Sequence, residues 1–131
     1  MSTGKIMVVE DEEDVREAIK LQLESANYNV LEAENGEEAI NILKSESNMV
    51  NCGLILCDIR MPKVNGLECI AFFRDQAPGI PIVVVTGFPD TEMAVDLMSK
   101  GVKDYLVKPV EKVKLLAVVE KMVSQGKAID F

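Results

Sequence analysis

The sequence predicts a doubly wound α/β domain built on a parallel sheet, and three observations carry that expectation. Short β-branched runs alternate with longer amphipathic stretches, a βα unit repeated five times. The runs are apolar at consecutive positions, as in Leu54-Ile55-Leu56, which suits a sheet covered on both faces. The length of 131 residues is enough for one core that folds without staples or a structural metal. Strands separated by helices become parallel neighbours through right-handed crossovers, so the expected layers are helix, sheet, helix.

Taken in order, the first strand is Lys5-Ile-Met-Val-Val9, and Val15, Ala18, Ile19 and Leu23 mark the apolar face of the helix after it. Asn29 to Ala33 is the second strand, followed by a helix read from Ala39, Ile40 and Leu43. The third, Gly53 to Cys57, leads into a helix read from Leu67, Ile70, Ala71 and Arg74. Pro81 to Val85 is the fourth, and Met93, Ala94, Leu97 and Met98 face inward on its helix until Gly101 stops it. Asp104 to Val107 is the fifth, with Val113, Leu116, Val119 and Val123 on the last helix. No repeat, low-complexity segment or linker interrupts the pattern. The domain is expected over residues 1–124, with 125–131 a short C-terminal tail and no output domain attached.

Composition removes several classes of function. A net charge of -8, with no Lys/Arg cluster, argues against a domain that binds nucleic acid by itself, since displacing counterions from phosphates takes a basic face. The apolar run Ile6 to Val9 is too short for a signal-peptide core or a membrane span, so no membrane partner and a cytoplasmic location are expected. Cys52, Cys57 and Cys69 are odd in number, lie in or beside apolar stretches and lack metal or CxxC spacing, which reads as reduced, packed thiols. Histidine is absent, and with it every His-based triad, imidazole metal site and proton shuttle.

Ligands of doubly wound sheets sit beyond the carboxyl ends of the strands, where strand order reverses. Those ends carry Glu10 and Asp11, Asp58, Thr86 and Lys108, while the second strand contributes nothing comparable. In a 2-1-3-4-5 sheet the first, third, fourth and fifth strands are contiguous, so these side chains would line one shallow pocket. Singly, each has an ordinary reading. Glu10 and Asp11 could be a solvated, helix-capping run continuing into Glu12 and Glu13, Asp58 a turn cap, Thr86 a strand residue and Lys108 a surface lysine. Jointly those readings lose ground, because three carboxylates, a hydroxyl and an ammonium stand at the four strand ends that the fold gathers. Like charges about 4 Å apart repel by about 1 kcal/mol in water and about 4 kcal/mol at an effective dielectric of 20, so the carboxylates call for a cation. Hard oxygen donors and no soft ligand favour Mg²⁺ over zinc. With the metal, Asp58 can act as nucleophile toward a phosphoryl group while Mg²⁺ and Lys108 neutralise its oxygens. Thr86 would supply a hydrogen bond, and Gly87 would leave the backbone open to those oxygens.

Val8-Val9-Glu10-Asp11-Glu12, Leu56-Cys57-Asp58-Ile59-Arg60-Met61-Pro62, Val84-Val85-Thr86-Gly87 and Asp104-Tyr105-Leu106-Val107-Lys108-Pro109 together resemble bacterial two-component response-regulator receiver domains. The resemblance covers almost the whole chain. It implies the flavodoxin-like (βα)5 three-layer sandwich, and the 2-1-3-4-5 order is partly inherited from it, the chemotaxis regulator being a standard example. It further implies phosphoryl transfer to Asp58 from a sensor histidine kinase or histidine phosphotransfer protein. Mg²⁺ would be held by Glu10, Asp11, Asp58 and the Arg60 backbone carbonyl. Glu10 stands where Asp is commoner in the family, which keeps the charge and lengthens the reach. Lys108-Pro109 resembles the family's cis peptide.

The resemblance also implies an output. Thr86 would shift toward the phosphate while Tyr105 rotates into the vacated space, switching the surface of the fourth helix, fifth strand and fifth helix. That surface would address a downstream protein, an effector domain or a second copy in a homodimer. Arg60 and Phe88, each two residues past a site residue, would flank the phosphoryl group and tune autodephosphorylation. The expected role is a signalling switch that promotes its own phosphorylation, not an enzyme. An aspartate-nucleophile phosphohydrolase would need a second Asp where Arg60 stands. A flavodoxin-like cofactor binder would have to cradle phosphate on Glu10 to Glu13, which repel it. A receiver-fold scaffold that transfers no phosphate has the complete acceptor, metal and lysine set against it. The stretch Thr86-Gly-Phe-Pro-Asp-Thr-Glu-Met-Ala-Val leans toward receivers of multidomain transcriptional regulators.

Overall fold

Five strands form one parallel sheet in the order β2-β1-β3-β4-β5 in the computed structural model, which describes residues 5–45, 51–58, 66–87 and 91–129. Along the chain these are β1 (Lys5–Val9), α1 (Glu13–Ser25), β2 (Asn29–Ala33), α2 (Gly36–Leu43), β3 (Cys52–Asp58), α3 (Gly66–Gln76), β4 (Ile82–Thr86), α4 (Thr91–Ser99), β5 (Asp104–Val107) and α5 (Lys112–Ile129). The three-layer α/β architecture and the strand order are those the sequence predicts. β3 extends one residue further at each end than expected, and β4 is shifted by one, so Asp58 and Thr86 are themselves strand residues.

Two apolar layers sandwich the sheet, and the period-two alternation of each strand divides its residues between them. Met7, Val9, Ile55, Cys57, Ile82 and Val84 face α2, α3 and α4, packing with Leu43, Phe73 and Leu97. Ile6, Val8, Leu54, Leu56, Val83 and Val85 face α1 and α5, packing with Ile19, Leu23, Leu115, Val119 and Met122. Cys52, Cys57 and Cys69 are free and buried in the first layer. Burial pushes the Cys52 thiol up, and the neighbouring Cys69 thiol together with burial pushes Cys57 well up, so both stay protonated and inert near neutral pH.

Local sequence explains how helices start and stop. Asn35 caps α2 by accepting from Glu38 N–H at 2.8 Å, while Glu38 Oε1 accepts from Glu34 N–H at 3.2 Å. α1 ends at a left-handed Asn27 (φ 70°), with Tyr28 N–H donating to Leu23 O at 3.1 Å. α4 ends in the same way at Gly101 (φ 97°), with Val102 N–H donating to Leu97 O at 3.1 Å. Gly101 therefore stops this helix as expected, and its lack of a side chain also admits Arg74, whose Nε would lie 3.0 Å from a Cβ there.

Several helical faces are rotated from their expected positions. On α1, Ile19 and Leu23 are buried but Ala18 is exposed. On α3 the inward residues are Cys69, Ile70 and Phe73, whereas Ala71 and Arg74 are exposed, because the large apolar Phe73 takes the core and the guanidinium stays in water. On α4, Leu97 is buried and Met98 exposed. On α5, Val113 is 80% exposed and the buried face is Leu115, Val119 and Met122. The side chains of Leu67 and Met93 lie outside the described residues. α5 also runs to Ile129 where a tail was expected from residue 125. Gln125, Lys127 and Ala128 are good helix formers and no proline interrupts them. Among the described residues no helix is long and apolar enough to cross a membrane.

Candidate functional site

Strand register sets the site. Val9 pairs with Cys57, so Glu10 and Asp58 follow at the same level on adjacent strands. Asp58 pairs with Val85, which puts Thr86 one step further on, and Thr86 pairs with Val107, which puts Lys108 one step beyond that. By alternation Glu10, Asp58 and Lys108 carry the parity of the layer facing α1 and α5, so three side chains of opposite charge start from one side of the sheet.

They meet. Lys108 Nζ lies 3.1 Å from Asp58 Oδ2, a hydrogen-bonded ion pair, 2.8 Å from Glu10 Oε1 and 3.8 Å from Glu12 Oε1. The peptide bond between Lys108 and Pro109 is cis, and Lys108 N–H donates to Thr86 O at 2.8 Å. Glu10 and Asp58 are both buried, while Asp11 and Glu12 are exposed. Glu10 Oε2 accepts from Glu12 N–H at 3.1 Å. Its other oxygen, Oε1, is buried, and its partner is the Lys108 ammonium, off the best hydrogen-bond alignment.

Electrostatics follow from that burial. Desolvation pushes the Glu10 carboxyl up to about 7, and the neighbouring Asp58 charge adds to the rise. The Lys108 ammonium and the Glu12 N–H oppose it without cancelling it. Burial disfavours the charged form of Lys108, but its contacts with Glu10 and Asp58 outweigh this and raise its pKa. The ammonium is therefore a fixed positive charge between two carboxylates that would otherwise repel.

The response regulator receiver domain model matches residues 6–120. The chain belongs to that family. This receiver is 33% identical to the phosphoglycerate transport system transcriptional regulatory protein PgtA of Salmonella typhimurium, over 95% of this chain and 29% of that protein. It is 29% identical to the transcriptional regulatory protein FixJ of Bradyrhizobium diazoefficiens, over 94% of this chain and 58% of that protein. It thus spans less than two thirds of the length of these curated relatives. Among solved structures, a response regulator receiver protein from Pseudomonas putida superposes with a TM-score of 0.83 at 37% identity, covering 92% of this chain and 98% of that one. Phosphorylation and signalling in two-component systems are the general function of such domains.

The acidic turn of this receiver fits the Mg²⁺ that such domains typically bind. Carboxylate oxygens of Glu10, Asp11 and Glu12 lie within 4.8 Å of one another, and the buried Glu10 Oε1 lacks an aligned donor. These are hard oxygen donors, partly open to solvent, of the kind Mg²⁺ takes. Glu12 is the residue that sequence reasoning passed over, having been read as solvated run. Its carboxylate joins both the acidic cluster and the Lys108 pair, and adjacency to Asp11 was the available signal.

The remaining expected residues are distributed as follows. Thr86 is buried at the end of β4. Gly87 is exposed, and a Cβ there would meet only Lys108 Cδ at 3.8 Å, an ordinary contact on the lysine's side of the site. Tyr105 is 38% exposed on β5, its N–H donating to Asp104 Oδ1 at 2.8 Å. Arg60 and Phe88 lie outside the described residues.

Proposed function

We propose that this receiver accepts a phosphoryl group on Asp58 from a histidine kinase or histidine phosphotransfer protein and signals through the face made by α4, β5 and α5. The observation that carries the reading is the Lys108 ammonium bridging Asp58 Oδ2 and Glu10 Oε1, 3.1 and 2.8 Å away. Asp58 Oδ attacks phosphorus as the P–N bond of a phosphohistidine donor breaks, and the electron pair leaves with the imidazole. Lys108 then turns from a carboxylate partner to a counter-charge for the phosphoryl oxygens, held near them by its backbone bond to Thr86 O. Glu10, Asp11, Asp58 and the Arg60 carbonyl would hold Mg²⁺, with Glu12 at the rim. When bound, the ion supplies charge neutralisation that the ammonium alone cannot give three carboxylates and a phosphoryl group.

For output, the Thr86 hydroxyl would bond the phosphoryl group and Tyr105 would turn inward, changing a face that exposes Val95, Met98, Tyr105, Val107 and Val113. Its partner is a downstream protein, an effector domain or a second copy. No turnover on outside substrates and a cytoplasmic setting complete the reading. Incubation with acetyl phosphate should add one phosphate, read by intact mass, with Mg²⁺ and not without it. The adduct should be absent from Asp58→Asn; its persistence there would overturn the assignment.

A further inference from the structure

The turn carrying the acidic residues is tied down by a side chain outside the phosphoacceptor set. α1 starts behind Glu12, whose side chain makes no capping hydrogen bond. Arg16, in the first turn of the helix, reaches back instead. Its Nη1 donates to Glu10 O at 2.9 Å, while its backbone N–H makes the first bond of the helix, to Glu12 O at 2.9 Å. The same guanidinium is fastened to β2, its Nε lying 3.4 Å from Glu32 Oε1, while Lys20 Nζ lies 3.1 Å from Glu32 Oε2. The Arg16 side chain is only 15% exposed, which shelters these charge-assisted bonds from water. Arginine suits the position because its rigid fork reaches a carbonyl with one nitrogen and a carboxylate with another, which a single ammonium cannot do.

Resting on the reading of Glu10, Asp11 and Asp58 as a Mg²⁺ site, we infer that Arg16, anchored on Glu32, is a positioning residue that presets the Glu10 to Glu12 turn for the cation without touching it. Without Arg16 the turn must be ordered at the expense of metal binding. The sign of the effect separates this role from simple charge. Removing a cation from beside an acidic turn would by Coulomb attraction tighten a divalent ion, whereas loss of positioning weakens it.

The test is calorimetric titration of Mg²⁺ into the unphosphorylated protein, well below the melting temperature of each variant. Arg16→Ala should weaken binding about tenfold, the order expected for releasing the backbone of one residue. Glu32→Gln should weaken it about threefold alone and add nothing in the double variant, since its effect passes through Arg16. Lys20→Ala, which touches Glu32 and not the turn, should stay within about twofold of the parent. Affinity unchanged or tighter in Arg16→Ala would overturn the inference whatever happened to its melting temperature, because a merely structural role moves stability and not the affinity of folded molecules. Should Arg16→Ala not fold, unchanged affinity in Glu32→Gln overturns it equally. A parent protein that binds no Mg²⁺ removes the underlying metal site, and the inference with it.

Discussion

A carboxylate that is 1% exposed, as Glu10 is, competes with its own desolvation, and the metal-free protein resolves the conflict by raising its pKa from 4.5 to about 7. The folded state then binds more protons than the unfolded one between those values. Stability from this group is fully present below about pH 4.5 and is lost as pH rises through about 7. In metal-free protein that loss should be on the order of 1–3 kcal/mol. Glu10→Gln cannot titrate, so it should be the more stable protein near pH 8 and gain little near pH 5, measured by urea midpoints. A difference between parent and variant that does not grow with pH would remove Glu10 as the source. At this scale Glu10, Asp58 and Lys108 were legible because each ends a strand run. Arg16 was not, since its partners are Glu10 O, just past β1, and Glu32 on β2, and no spacing announces them.

Elements were legible as elements, and their rotation was not. On α5 the expected stripe of Val113, Leu116, Val119 and Val123 overlaps the observed one of Leu115, Val119 and Met122: Val119 is buried as expected, Leu116 and Val123 pack at its edge, and Val113 alone turns out to solvent. α3 likewise turns Phe73 to the sheet and leaves Arg74 outside. The consequence is measurable in denaturant unfolding. Phe73→Ala should cost about 3–5 kcal/mol, the range for deleting a buried aromatic side chain. Val113→Ala should stay within about 0.5 kcal/mol, as exposed substitutions do. Comparable losses at the two positions would contradict the observed faces.

At the scale of the whole molecule, the register of β4 and β5 sets Thr86 beside Val107 and Val84 beside Tyr105. On the proposed reading, that hydroxyl and aromatic ring, two residues apart on paired strands, would form a short path from the phosphoryl group to the exposed face. The chain has two tyrosines and no tryptophan, so in a Tyr28→Phe background the intrinsic fluorescence reports Tyr105. Acetyl phosphate with Mg²⁺ should change that signal. Thr86→Ala should still take up phosphate, by mass, with the fluorescence change cut several-fold. An undiminished change in Thr86→Ala would uncouple the two residues.

Hydrophobic periodicity determined the five βα units, the two-sided sheet and the strand ends where chemistry gathers, because burial on both faces leaves a local mark on every strand. The receiver motifs, read together, indicated the family by themselves. Tertiary structure decided which apolar stripe each helix buries, that Glu12 belongs with the acidic cluster and that Arg16 and Glu32 fasten its turn. Those outcomes depend on register and on contacts between residues distant along the chain, which local sequence pattern does not carry.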